Sequence, residues 1–378
     1  MKQLNLGAPT LYTGSGSLAA LKNIPATRVF VVTGGSSMFK NGAIDTMRDL
    51  FSEKGCEVCI HSGIQKNPDT HAVIAGLEKM RSFAPDVIVA IGGGSPLDAA
   101  KVMMLLYEHP HLTLDTLPQM PLPQARGKVT FVAVPSTSGT GSEVSRSAVV
   151  TYGEQQLKVA FRTPYFIPDV AILDADLTMS MPADLVAETG MDAMTHAIES
   201  YLNPNADEFT RALAVGAIAG LFDYLSVSYR DGTPESRAKV HAYQSMAGIA
   251  FANSGLGMVH GIAHALGGQY DMGHGLLNAI VLPYALQFDV THAPDFQAKL
   301  DGLARQVGQR DLIQALRDLN QTLQIPRTLR EAGVAAEQFE RDLDRLTVNA
   351  LKGPTASNPV PITSSQMTAL LRRVFAGT

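Results

Sequence analysis

Beyond Met181-Pro182 this chain of 378 residues carries only helix-period apolar stripes, whereas before that point short apolar runs alternate with amphipathic stretches. One change of period at one place limits the fold sharply, because strand faces repeat every second residue and helix faces every third or fourth. Candidate strands are Val29–Thr33, Glu57–His61, Val87–Ile91 and Thr130–Pro135, with Ala43–Lys54 and Thr70–Phe83 between them at helical spacing. Runs such as Val-Ile-Val-Ala-Ile, apolar on both faces, predict a parallel sheet covered on both sides. Three more short strands follow at 148–151, 157–161 and 170–173. The helical half reads as Ala183–Leu202, Asp207–Tyr229, Pro234–Ala252, Met258–Leu266, Leu277–Phe288, Asp311–Leu323, Ala336–Leu351 and Ser365–Phe375. The expectation is an α/β domain over 1–180, an all-α domain over 181–378, and an active site in the cleft between them.

The formal net charge of −5 and a pI near 6.1 argue against a nucleic-acid partner, which calls for a basic face. No apolar run reaches the roughly 18–20 residues of a membrane span, and the first residues lack the apolar core of a signal peptide. A cytoplasmic protein is expected. The only cysteines, Cys56 and Cys59, have C-x-x-C spacing, but they sit on a strand pattern where residues three apart face opposite ways. They read as ordinary strand residues.

Val87–Lys101 (VIVAIGGGSPLDAAK) runs from a buried strand through three glycines into a helix. Glycines let backbone N–H groups approach a ligand, and the helix N-terminus offers free donors and a positive dipole end to a pyrophosphate. Ser95 suits the N-cap and Pro96 the first turn. The pattern is neither G-x-G-x-x-G nor a Walker loop, and a tight strand-to-helix turn would need much the same residues. A second loop of hydroxyls and glycines, Pro135–Glu143 (PSTSGTGSE), follows another buried strand. Two such loops at strand ends support one another, since open α/β sheets bind ligands beyond the carboxyl ends of their strands.

The helical half holds His260, His264 and His274 in the nearly uncharged stretch Asn253–Ile280. Metal ligation accounts for three imidazoles among apolar residues, and so would hydrogen-bonded core positions. Upstream, TGMDAMTHAIESY places Asp192 and His196 four apart on one helix face, with no lysine or arginine close in sequence. A carboxylate on an apolar face needs a cationic partner or a metal. One carboxylate with two or three imidazoles suits Fe(II) or Zn(II) better than Mg(II) or Ca(II).

These four motifs, in this order, resemble those of the iron-containing (group III) alcohol dehydrogenase family, and the likeness runs over nearly the whole chain, including PDVAILDADLTMSMP and Asn358-Pro359. The resemblance implies a Rossmann-like N-terminal domain and a helical C-terminal domain. It implies Asp192, His196, His260 and His274 as metal ligands and His264 as a non-ligating neighbour that relays the alcohol proton. Gly92, Gly93, Gly94 and Ser95 would hold the pyrophosphate, Thr137, Ser138 and Thr140 the nicotinamide side, Asn67 the adenosine ribose and Lys158 a further contact. Phe251 and Leu256 fall where relatives line the substrate pocket. The implied reaction is reversible hydride transfer between NAD(P)(H) and a small primary alcohol or aldehyde at Fe2+, with Zn2+ the other candidate. A homodimer is implied too, across which the segment 4–14 could pair.

Two departures stand out. Gly273 replaces the family's frequent proline before the last ligand histidine, which is expected to loosen that loop. The first strand ends Thr33-Gly34-Gly35-Ser36-Ser37 in place of an aspartate for the ribose 2′-hydroxyl of NAD. Without that carboxylate a 2′-phosphate is not repelled, and glycine N–H groups and serine hydroxyls can bind one. Lys40 is the next basic residue. NADP(H) is therefore expected over NAD(H). The alternatives on the same fold are a hydroxyacid–oxoacid transhydrogenase and a sugar-phosphate lyase resembling dehydroquinate synthase, whose site is rich in lysine and arginine. The histidine stretch here has no such cluster.

Overall fold

The apolar runs of the first half pair side by side in one parallel sheet. A computed structural model describes residues 4–152 and 157–377. In it β1 (Thr10–Thr13), β2 (Arg28–Thr33), β3 (Glu57–His61), β4 (Val87–Gly92), β5 (Thr130–Pro135) and β8 (Val170–Leu173) form six strands in the order β1-β8-β5-β4-β2-β3. The remaining two strands, β6 (Ser147–Tyr152) and β7 (Leu157–Arg162), leave the sheet as a separate antiparallel pair. Helices α1 (Ser37–Lys40), α2 (Ala43–Ser52), α3 (Thr70–Phe83) and α4 (Gly94–Glu108) alternate with the strands. Segment 4–14 contributes the edge strand of its own sheet, Thr10 to Thr13 pairing with Val170 to Leu173.

Alternate residues of the central strands supply two cores. Phe30, Ile88 and Phe131 pack with Leu77 and Met80 of α3 and Leu97 and Met104 of α4. Val31, Val89 and Val132 pack with Ile44, Met47 and Phe51 of α2. Each such side chain contributes about 1.5–3 kcal/mol on burial, so both faces of the sheet must stay covered. Leaving β1 aside, the order β3-β2-β4-β5-β8 is a doubly wound arrangement. The chain winds outward from β2 to β3 and the opposite way from β4 to β5, so the switch point lies between β2 and β4. The loops leaving those two strands are Gly34–Ser37 and Gly92–Ser95. Topology alone thus marks where an open α/β sheet of this kind takes a ligand. Cys56 and Cys59 are unpaired thiols, the former donating to the Ala26 carbonyl at 3.0 Å.

The chain divides into units Met1–Met181 and Pro182–Thr378. The second is helical throughout: α5 (Ala183–Leu202), α6 (Glu208–Arg230), α7 (Pro234–Ser254), α8 (Met258–Tyr270), α9 (His274–His292), α10 (Phe296–Gln306), α11 (Leu312–Thr322), α12 (Ala336–Ala350) and α13 (Ser364–Ala376). Three details differ from the sequence reading. Helix α8 does not end at Leu266, before the helix-breaking pair Gly267-Gly268, but runs on to Tyr270 and stops at Asp271 in a left-handed conformation (φ 48°). Helix α10 went unread, although Phe296, Leu300 and Leu303 are buried at helical spacing. Helix α6 is long and apolar enough to cross a membrane, contrary to the expectation; it packs against α5 and α7 within its unit.

Candidate metal centre and nucleotide loops

Helix α5 presents Asp192 and His196 one turn apart, α8 presents His260, and α9 opens with His274. The imidazole Nε2 atoms of His196, His260 and His274 lie 3.9, 3.7 and 3.7 Å from a single atom, Asp192 Oδ1. The ligand atoms of Asp192, His260 and His274 all fall within 4.8 Å of one another, and His196 stands just outside that group. Asp192, His196 and His260 are buried, and His274 keeps a third of its side chain exposed. Helix α9 can start this close because Gly275 has no side chain: a Cβ there would lie 2.1 Å from the Glu188 carbonyl oxygen. The glycine at 273 serves packing in the same way, since a Cβ would strike the Glu188 carboxyl at 2.3 Å. A side chain at 273 would have to displace the Glu188 carboxyl.

Among the described residues no lysine or arginine pairs with Asp192. Burial alone would raise its carboxyl, but His196, then His274 and His260, outweigh that and hold it well below the usual carboxylate range. His260 is the reverse case: burial lowers it, and Glu199 with Asp192 lifts it to about 9. The positive charge drawn onto this group of side chains is charge that a divalent cation would otherwise supply.

Asn278, one turn into α9, tests the fit of a metal. Its Nδ2 donates to Asp192 Oδ1 at 2.7 Å and lies 3.1 Å from His260 Nε2 and 3.2 Å from His274 Nε2, while its own Oδ1 is buried without a partner. One NH2 group has two hydrogens, and it faces three acceptor positions once both imidazoles are in the neutral form that binds a metal. Converging acceptors that outnumber the available protons are the donor set a cation satisfies. The carboxylate–imidazole chemistry and its burial fit Fe(II) or Zn(II).

Glu199, missed in the sequence, fixes His260. Its Oε2 accepts from His260 Nδ1 at 2.5 Å, which turns Nε2 toward the site. Its Oε1 accepts from Val259 N at 2.8 Å and His260 N at 3.4 Å, in the first turn of α8. A carboxylate behind a ligating histidine sets tautomer and ring orientation. The signal was present, for Glu199 and Asp192 are the two carboxylates of the apolar stretch Gly190–Leu202. His264 stacks on His274 at 5.1 Å and meets His260 edge-on at 6.1 Å, and it is only partly buried. Phe251 stacks on His196 at 4.5 Å, and Leu256 is buried.

In the first unit the two small-residue loops touch. Gly92 adopts φ 145°, a conformation left to glycine, and a Cβ there would strike Pro96. A Cβ on Gly94 would lie 2.8 Å from Thr140, and one on Gly93 3.4 Å from Thr137. Gly93, not Ser95, is the N-cap of α4, and it offers no side-chain acceptor. The first-turn N–H groups therefore stay open to an anion. Asn67, in the left-handed region at φ 57°, accepts a hydrogen bond from Lys158 at 2.9 Å. Ser138 is buried in the second loop, and Ser36 N-caps α1 without a side-chain bond.

A second residue went unread here. Lys101 is fully buried on α4, and its Nζ donates to the end of the second loop and the segment after it: to Ser142 O at 2.6 Å, Ser142 Oγ at 3.0 Å, Ser145 O at 3.0 Å and Ser147 O at 2.8 Å. Asp98, one turn earlier, accepts from Ser142 Oγ at 2.7 Å and Val149 N at 2.9 Å.

Known proteins bear on both halves. The family profile described as iron-containing alcohol dehydrogenase matches residues 8–175, and that of the Fe-containing alcohol dehydrogenase family, C-terminal, matches residues 186–375. An NADPH-dependent butanol dehydrogenase of Clostridium saccharobutylicum is 38% identical over 376 residues, covering 97% of each chain. The solved iron-containing alcohol dehydrogenase of Thermococcus thioreducens superimposes with a TM-score of 0.93 at 33% identity, over 100% of both chains. A 1,3-propanediol oxidoreductase structure does so at 0.89 and 31%, over 99% of this chain and 100% of the other.

Proposed function

This chain belongs to the iron-containing alcohol dehydrogenase family, and on that premise we propose how its own residues carry out NAD(P)-dependent interconversion of alcohols and aldehydes. The convergence of three imidazoles on Asp192 Oδ1 carries the reading. Asp192, His196, His260 and His274 would hold the metal, which when bound supplies a Lewis acid for the substrate oxygen. Glu199 orients His260. His264, partly exposed between His274 and solvent, passes the alcohol proton outward. Phe251, stacked on His196, and Leu256 give an apolar wall that suits short alkyl chains. Neither rival reaction is favoured: the described centre holds no lysine or arginine for a phosphorylated sugar. Decrease of NADPH absorbance with a panel of C2–C4 aldehydes, alongside metal analysis of anaerobically purified protein, tests the whole assignment. Catalysis that survives complete metal removal would refute it.

Replacing His264 with alanine should lower turnover about 10²–10⁴-fold, the usual contribution of a positioned proton donor or acceptor, and leave metal content unchanged. Loss of metal in that variant would make His264 a ligand instead.

Cofactor choice follows from the end of β2. Gly34, Gly35, Ser36 and Ser37 present N–H groups and hydroxyls and no carboxylate, and a 38% identical relative is named as NADPH-dependent. NADP(H) is thus preferred, with Gly92–Ser95 on the pyrophosphate, Thr137, Ser138 and Thr140 toward the nicotinamide, and Asn67 with Lys158 toward the ribose. The ratio of kcat/KM for NADPH over NADH should exceed one; a tenfold preference for NADH reverses the assignment. Iron is the family's metal, and zinc suits the same donors. A cytoplasmic homodimer is the accompanying assembly, supported by the edge position of β1 and by exposed Leu6 and Leu11.

A further inference from the structure

Behind His260, on the side away from Asp192, lies a small cavity that the chemistry above does not use, apolar over most of its surface with a few polar groups at its walls. It measures about 10 Å3, and Glu199, Asn203, Val259, Leu286, Asp289 and Asn358 are among its walls. That is room for about one water molecule, with enough polar partners to hold it. Asp289 is 3% exposed on α9. Asn358 Nδ2 donates to its Oδ1 at 3.0 Å, and Asn358 Oδ1 accepts from Met258 N at 3.1 Å at the start of α8. Among the described residues no cation forms an ion pair with Asp289. Lys299 of α10 is turned to the Leu202 carbonyl at 3.0 Å, His292 to the Phe288 carbonyl at 2.9 Å, and His260 to Glu199. The charged group it does face is Glu199.

We propose that Asp289 is a positioning residue of the metal site: it is held neutral, and its hydroxyl acts through one cavity water on Glu199 and so on the orientation of His260. This rests on the reading of Asp192, His196, His260 and His274 as metal ligands. Two carboxylates across so small a cavity cannot both ionise cheaply, and the member without a cationic partner keeps the proton. Burial is the main cause and Glu199 adds to it, while the Asn358 amide opposes; together they push Asp289 up to about 8. Neutral Asp289 can donate to the water, and the water to Glu199, with no net proton transfer. Glu199 then faces His260 Nδ1 with its free electron pairs. Asparagine has the same shape and also donates, whereas leucine does neither.

The test compares wild type, Asp289→Asn and Asp289→Leu, each loaded with Co(II) as a spectroscopic probe. Asp289→Asn should bind Co(II) within about twofold of wild type and Asp289→Leu about tenfold more weakly, the low end for partners behind a metal histidine. The visible Co(II) spectrum of wild type should change as pH rises through about 8, and that of Asp289→Asn should not. Melting of the metal-free proteins is a separate check on neutrality. Asp289 has a folded value raised above its unfolded one, so its contribution to stability is present at low pH and lost as pH rises toward the folded value. Asparagine has no such loss, and the melting advantage of Asp289→Asn should grow by several degrees between pH 5.5 and 8.5. A pH-independent difference in melting, or spectra that respond alike in both proteins, overturns the proposal even if Asp289→Leu does not fold. Failure of wild type to take up Co(II) would instead refute the ligand assignment beneath it.

Discussion

Asp192→Asn is expected to strip the metal and the dehydrogenase activity together while leaving the helical unit folded. Asp192 is the only carboxylate of the four candidate ligands, and all three imidazoles approach one of its oxygens to within 3.9 Å. Asparagine keeps the shape and removes the charge. It also puts a second amide beside Asn278, whose Nδ2 already donates to Asp192 Oδ1 at 2.7 Å. A Lewis acid contributes several kcal/mol of transition-state stabilisation, so turnover should fall at least about 10³-fold. Metal content after dialysis, activity, and far-ultraviolet circular dichroism on the same preparation decide the matter. Stoichiometric metal in an inactive Asp192→Asn protein would assign Asp192 to catalysis rather than ligation. Loss of helical signal would instead make the carboxylate a structural counter-charge for three histidines.

How far such a site is legible in the sequence depends on whether a residue acts along its own helix or across to another. Asp192 and His196 share one helix face, and their spacing announced them. The parallel sheet was equally plain, since Val87–Ile91 is apolar on both faces and nothing else buries such a run. The extent of α8 was not legible. Its first turn is capped by Glu199 from α5 and by Asn358 from near the chain's end, a hundred residues away from Met258. Local glycines at 267 and 268 suggested a break that packing overrides. Glu199 itself could have been found by asking of it the question asked of Asp192, namely what a carboxylate does on an apolar helix. Asn278 could not, because a neutral amide one turn after a histidine has no pattern of its own. Periodicity reports which face is buried; it is silent on what that face will meet.

Lys101 is the case where that silence hides the larger energy. On a helix that opens with a glycine-rich loop, a lysine reads as solvent-facing or as a phosphate contact. Here it is entirely buried, with its ammonium given to three main-chain carbonyls and one hydroxyl between Ser142 and Ser147. Burial lowers it to about 8, against the pull of Asp98 and Glu143. Lys101→Met removes the cation and leaves the buried carbonyls of Ser142, Ser145 and Ser147 without their donor. Leaving buried acceptors unsatisfied costs about 1–3 kcal/mol each, together on the order of 10 °C in melting temperature for a unit of this size. The second effect is on the cofactor. The segment tied down by Lys101 continues directly from Thr137, Ser138 and Thr140, so releasing it moves an ordering cost into the binding step. Fixing one or two residues costs about 1–2 kcal/mol each, and NADPH should bind about 10–100-fold more weakly. The metal residues belong to the other unit, so metal content should stay at the wild-type level. Fluorescence titration with NADPH, melting and metal analysis of Lys101→Met separate these outcomes. A lower melting temperature with unchanged NADPH affinity would reduce Lys101 to a structural cation; a loss of metal would mean that the two units depend on each other through it.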